Sequence, residues 1–274
     1  MEHPTRRAAS RRRQGRRAGM AIRRAGVALP LAVVLLGACG ESPVAPPDPS
    51  DMLSVRQETA LGVYLHAPDD WIDVETQDVY YAWLFERTGL TPARPLEFLK
   101  YRNRAHMERL TGKSVNGWAE RGTYRFHTIW STDEHESVHA LVSSEWNAAP
   151  ALMNEGMAVA HQVPVGAAVP LWNGTPVDTL AARALRDGTL PSLADVMESR
   201  DFRRHDEGLA YPVAGSFVKS LIERHGYGRL ERFFRSSGLL ETASQLRADF
   251  RAAFGEEIED AWSVWKGSLR PPDS

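Results

Sequence analysis

The sequence predicts an α+β fold, a small N-terminal mixed sheet followed by a helical half. Short runs rich in Val, Tyr, Phe and Leu with strand-like alternation are confined to the chain before Ser131. After Ser131 the apolar residues recur at helical spacing and the flanking residues are helix caps. Strands grouped first and helices grouped afterwards mark α+β rather than alternating architecture. At 43% hydrophobic and 25% charged over 274 residues, with 8 Trp, the composition is that of a globular protein with one substantial core.

The first segment is set apart from that fold. Residues 1–24 hold nine arginines and one acid, and an apolar run follows from Ala25 to Leu36. A basic start, a short apolar stretch and small residues ahead of a cut describe a secretory signal over residues 1–38. The run is too short to span a bilayer, which needs about 20 apolar residues. Met20 opens a signal of ordinary length, so residues 1–19 read as an upstream mis-start. Cys39 is the single cysteine and follows Leu36-Gly37-Ala38 directly. This resembles the bacterial lipobox, which implies lipidation of Cys39 and a membrane anchor. A lone cysteine forms no disulfide within its own chain, so lipidation also accounts for the thiol. Residues 39–53, Pro-rich and acidic, then form a tether.

Residues 54–270 make the domain. Ala60 to His66 reads as a strand, Glu75 to Arg87 as a helix, Leu96 to Tyr101 as a strand and Ala105 to Leu110 as a helix. Thr123 to Trp130 alternates, with Tyr124, Phe126 and Trp130 on one face and Arg125 and His127 on the other. That pattern predicts a half-buried strand. Ser131-Thr132-Asp133-Glu134 reads as a capping box with early acids that suit the N-terminal dipole. A second helix runs from Pro150 to Gln162, Pro standing at a tolerated first position. A third spans Tyr211 to His225 and stops at Gly226. Thr242 to Gln245 caps a fourth that ends before Gly255, and Glu256 to Leu269 is the last.

Without residues 1–38 the chain keeps 24 basic and 34 acidic residues, a net charge of −10. So acidic a domain lacks the Lys/Arg excess that displaces counterions from nucleic acid, which excludes that partner class.

His135-Glu136-Ser137-Val138-His139 is HExxH. On a helix, residues four apart share a face, so both imidazoles reach one ion and Glu136 projects beside them as a base. The third ligand selects the class. A metzincin needs Gly three and His six residues after the second histidine, where this chain has Val142 and Glu145. Glu155 lies 16 residues after His139 on the next helix, within Met153-Asn154-Glu155-Gly156-Met157-Ala158. An acid among Leu152, Met153, Met157 and Val159 is costly to bury unpaired, and coordination removes that cost.

HESVH followed by PALMNEGMA resembles the gluzincin zinc metallopeptidases, specifically the bacterial peptidase MA-like group. Similar stretches are TGKSVNGWAERGTY before the motif, and TLPSLADVMES, AYPVAGSFVKSLIERHG and FRAAFGEEIEDAWSVWKGSL after it, so the resemblance covers residues 55–270. It implies Zn2+ on His135, His139 and Glu155, with Glu136 as the base that activates water for attack on a peptide bond. It further implies an oxyanion donor downstream, for which Tyr211 stands first and His205, in a polar loop, second. His161 and His225 read as surface residues. Two departures stand out. Leu152 replaces a usual aromatic, which bears on the pocket wall, and Val159 stands where thermolysin-like chains have an aspartate that orients a histidine. The carboxylates that normally orient metal-bound histidines must therefore come from elsewhere. The strand Thr123 to Trp130 resembles an edge along which an extended substrate pairs.

The implied function is hydrolysis of a peptide or protein substrate by an envelope lipoprotein. A zinc amidase acting on cell-wall peptide and a catalytically idle scaffold lipoprotein remain as alternatives. An intact Glu136 beside three ligands weighs against the idle scaffold, and three ligands rather than four weigh against a purely structural zinc.

Overall fold

The computed structural model describes residues 48–269; the signal segment, Cys39 and the start of the tether lie outside the described residues. The last tether residues are packed. Pro49–Met52 forms a helical turn (α1), Asp48 accepts two hydrogen bonds from Arg125 (2.9 and 3.1 Å), and Leu53 is buried. Packed structure thus begins ahead of residue 54.

The expected α+β architecture is present. Strands β1 (Val55–Glu58), β2 (Gly62–His66), β3 (Leu96–Lys100), β4 (Gly117–Glu120) and β5 (Arg125–Thr128) form one sheet in the order β1-β2-β3-β5-β4. β2, β3 and β5 are parallel, and the outer strands β1 and β4 run antiparallel to their neighbours. Helix α2 (Val74–Thr88) connects β2 to β3, and α3 (Arg104–Thr111) follows β3.

Strand alternation sets the two faces. Tyr64, Phe98 and Phe126 stand in register across β2, β3 and β5, with ring centroids 5.9 and 4.8 Å apart, and face the main core. Leu65, Leu99 and His127 occupy the next register position and face a smaller cluster with Tyr101 and Met107. β5 is therefore buried on both faces, which corrects the half-buried reading. His127 is 0% exposed, satisfied by the Tyr101 hydroxyl and the Glu120 carboxylate at 2.8 Å each, and Trp118 stacks on its ring. Trp130 lies beyond the strand and is exposed. Nor is β5 an edge: it sits between β3 and β4, and β4 is the outer strand.

The helical half is α4 (Glu134–Glu145), α5 (Ala151–Ala160), α6 (Val177–Arg186), the single turns α7 (Leu193–Val196) and α8 (Ser199–Phe202), α9 (Glu207–His225), α10 (Tyr227–Ser236), α11 (Ala243–Phe254) and α12 (Ile258–Ser268). A two-residue hairpin, β6 (Leu171–Trp172) and β7 (Thr175–Pro176), turns at Asn173-Gly174. Thr242 and Gln245 form the predicted capping box of α11. α9 begins one turn before the predicted Tyr211, so Pro212 lies inside the helix rather than at its start. Its two glycine-mediated contacts hold α9 against α5. A Cβ on Gly156 would lie 2.5 Å from Val218, and one on Gly215 would lie 2.3 Å from Val159. Only hydrogen fits at either place, so the two backbones approach closely, and Tyr211 near the start of α9 reaches His135 of α4. Among the described residues no helix is long and apolar enough to cross a membrane.

Candidate metal centre

The first turn of α4 is built to present the motif. Asp133, not Ser131, is the N-cap; its carboxylate accepts from the Glu136 amide at 2.9 Å. Buried Gln77 of α2 clamps the same turn, accepting from the Asp133 amide at 2.8 Å and donating to the Ser137 hydroxyl at 3.0 Å. Tyr80, one turn along α2, donates to the carbonyls of Glu134 at 3.2 Å and His161 at 2.8 Å. One helix thus ties the start of α4 to the end of α5.

His135 and His139 point their Nε2 atoms at a common point, 3.2 Å apart. Glu155, on α5, is buried and brings Oε2 to 3.1 Å from His139 Nε2 and 3.4 Å from His135 Nε2. A tetrahedral ion with bonds of about 2.0–2.1 Å keeps its ligand atoms about 3.3 Å apart, which these three separations match. Among the described residues, His135, His139 and Glu155 are the cluster able to hold a metal ion, and the donor set of two imidazoles and one carboxylate fits that group.

The other ring nitrogens have partners. His135 Nδ1 donates to Gln162 Oε1 at 3.4 Å, and His139 Nδ1 lies 3.2 Å from the side-chain amide of Asn154. The nearest Asn154 atom is its amide nitrogen, Nδ2; a histidine that ligates through Nε2 carries its proton on Nδ1 and requires that amide turned to present its oxygen. The groups that orient the histidines are therefore neutral amides, where carboxylates were expected. The second Glu155 oxygen, Oε1, accepts from Arg203 Nη2 at 3.2 Å. Arg203 belongs to the same polar loop as His205. His205, two residues on, is not among the residues that line the cleft.

Glu136 sits beside this group, half-buried, against the edge strand: a Cβ on Gly117 would lie 2.8 Å from Glu136 Cγ and 3.0 Å from its Oε1. Burial pushes the Glu136 carboxyl up to about 8, against the pull of His135 and with the help of Asp133 and Glu155. Burial also acts to raise Glu155, but His139 and His135 outweigh it and hold that carboxyl well below the usual range. Tyr211, in the first turns of α9, stacks on His135 with ring centroids 6.0 Å apart, and Trp172 of the hairpin packs on Tyr211 at 5.2 Å. Burial raises the Tyr211 phenol, with Glu155 adding to it, so it remains a proton donor at neutral pH.

These groups line a cleft of about 1200 Å³ that runs along β4 and is walled by Trp118, Trp130, Trp172 and Tyr211. Leu152 lies in the core and not on that wall. Nor is His161 a surface residue. It is 1% exposed and bonded through Nε2 to the Tyr227 hydroxyl at 2.7 Å. His225 is largely covered as well, paired with Glu256 at 2.7 Å. Glu145, excluded as a ligand, accepts from the Tyr124 hydroxyl at 2.7 Å, away from the cluster.

Comparison of the chain with family models, with curated proteins and with solved structures gives no match.

Proposed function

We propose that this chain is a zinc-dependent hydrolase of peptide bonds in which Glu136 is the general base. The observation that carries the reading is the juxtaposition of the His135–His139–Glu155 cluster with a carboxyl that ligates nothing. Glu136 lies on the same helix turn, on the open side of the cleft, next to an edge strand. A structural metal site has no use for that fourth group. Zinc is the ion this donor set favours, and when bound it supplies Lewis-acid activation of water and of a carbonyl.

The chain's own residues supply the rest. Glu136 takes the proton of the attacking water and hands it to the leaving amine, a role its place beside the cluster on the same helix turn allows. Tyr211, protonated, donates a hydrogen bond from its hydroxyl to the oxyanion that develops on the former carbonyl. The outer edge of β4 offers backbone groups with which an extended peptide pairs, a role that passes from β5 to β4 with the strand order.

The test is a peptide library, read by mass spectrometry, exposed to zinc-loaded wild type and to Glu136→Gln. Cleavage by wild type and a loss of about 10³-fold or more in the variant are expected. Zinc uptake with no cleavage by wild type sinks the peptidase reading, and equal cleavage by the variant sinks the role of Glu136. The proposed setting is the cell envelope, anchored through lipid on Cys39. Labelled fatty acid should enter the wild-type chain and not Cys39→Ser.

A further inference from the structure

Glu155 is held by both of its oxygens, and by two different things. Oε2 faces His139 Nε2 and His135 Nε2 at 3.1 and 3.4 Å, while Oε1 faces Arg203 Nη2 at 3.2 Å. A carboxylate beside a divalent ion has two modes: one oxygen on the ion, or both. With both, two histidines and Glu155 fill four positions, and water or substrate has to enter as a fifth ligand. With one, a position stays open. The choice between the modes sets whether an incoming ligand completes a four-coordinate centre or must crowd in as a fifth ligand.

We infer that Arg203 is a positioning residue that makes this choice. By engaging Oε1, it keeps Glu155 a one-oxygen ligand and keeps a coordination position open. Its placement is fixed from the backbone. Arg203 follows α8, whose Phe202 is fully buried and packs on Tyr211 with ring centroids 5.7 Å apart. α8 is itself tied to the helix that carries Glu155, because the Ser199 hydroxyl accepts from the Ala151 amide, the first residue of α5, at 2.9 Å. The guanidinium therefore moves with Glu155 rather than with the surface. Its side chain is 52% exposed while that of Glu155 is 7% exposed, so Arg203 reaches inward from the cleft wall to a buried carboxylate. Its substitution leaves no hole in the core.

The inference rests on the metal-centre part of the proposed function and not on peptide cleavage. It is tested without turnover, using cobalt(II) as the probe metal and acetohydroxamate as a ligand for the open position. Wild type should give the intense visible absorption of a four-coordinate centre. Arg203→Ala should lower that absorptivity about twofold as the second oxygen moves onto the ion, and should weaken hydroxamate binding about tenfold. Arg203→Lys, which keeps the charge without the planar fork, should fall between them. A thermal melt of each metal-free variant checks the fold. Wild-type absorption and hydroxamate affinity in Arg203→Ala overturn the inference, as does an altered spectrum in a variant that no longer melts cooperatively while Arg203→Lys matches wild type. A wild-type chain that takes up no cobalt overturns it together with the metal reading. A metal-loaded wild type that cuts no peptide sinks the peptidase reading alone.

Discussion

Replacing Gly117 by alanine sets one methyl between the edge strand and the base. The added Cβ would lie 2.8 Å from Glu136 Cγ, 3.0 Å from its Oε1 and 3.2 Å from the carbonyl oxygen of His127. Carbon atoms rest at about 3.5–4.0 Å, so the closest contact is short by about 0.7–1.2 Å. The His127 carbonyl is backbone within a paired strand and yields little, whereas the Glu136 carboxyl swings on rotatable bonds. The displacement therefore falls on Glu136, by about 1 Å, and a misplacement of that size at a reacting group costs about 10²-fold. Stability should change by less than the roughly 1–3 kcal/mol of an overpacked core, because the methyl also restricts the unfolded chain. The assay measures kcat and KM on a substrate chosen from the peptide library, with zinc content and melting temperature measured on the same samples. The expected result is a fall in kcat of about 10²-fold, with zinc still at one per chain. Wild-type kcat in Gly117→Ala would refute the claim that β4 fixes the position of the base.

Tyr211→Phe removes the hydroxyl and keeps the ring on His135; kcat should fall about 10²–10³-fold with KM and zinc content unchanged, and a change confined to KM would remove Tyr211 from the oxyanion role. Gln77→Leu strips the clamp on the first turn of α4 and leaves the buried Asp133 amide without its acceptor, a cost of about 1–3 kcal/mol. That should lower the melting temperature by several degrees and weaken zinc binding in parallel, and unaltered zinc affinity would contradict the clamp. His127 and His161 are buried with their pKa values lowered by burial to about 4, so the folded state leaves them neutral where the unfolded chain protonates them. Their stabilisation is complete above about pH 6.5 and is lost as pH falls toward 4, about 2 kcal/mol for each histidine by pH 5. NMR of the two imidazole rings between pH 7 and pH 5 checks it directly, and rings that become charged by pH 5 in the folded protein refute the assignment.

The parts of this site legible in the sequence are those whose geometry is local. HExxH needs only the helical repeat to bring two imidazoles to one side, whereas the cap was read two residues early, at Ser131 instead of Asp133. Glu155 was reachable because an acid in an apolar helix demands a partner. Other contributors come from far along the chain with no local mark. Gln162 lies 27 residues from the histidine it orients, and Arg203 lies 48 from the carboxylate it holds, in a stretch whose polar composition reads as solvent-facing. Trp172 did carry a signal. Asn173-Gly174 is a hairpin dipeptide, and both residues have the positive φ that such a turn requires (49° and 75°), but two-residue strands have no alternation to read. β4 is short and half polar, so it escaped notice, and its absence left β5 looking like an edge. The polar face assigned to His127 and the surface assigned to His161 failed for one reason. Each ring is covered by aromatic residues from elsewhere, Trp118 for the first and Trp83 and Tyr227 for the second. Periodicity reports which face is apolar; it does not report which polar side chains are sealed in by neighbours.

Zinc stoichiometry and affinity of the purified domain test the central claim most directly, by metal analysis after dialysis and by competition with a chromophoric chelator. One zinc per chain is expected in wild type and in Glu136→Gln, with affinity lowered about 10²-fold or more in His139→Ala and in Glu155→Ala, each still folded by circular dichroism. A wild-type chain that retains no zinc, or a Glu155→Ala chain that binds it as wild type does, contradicts the account.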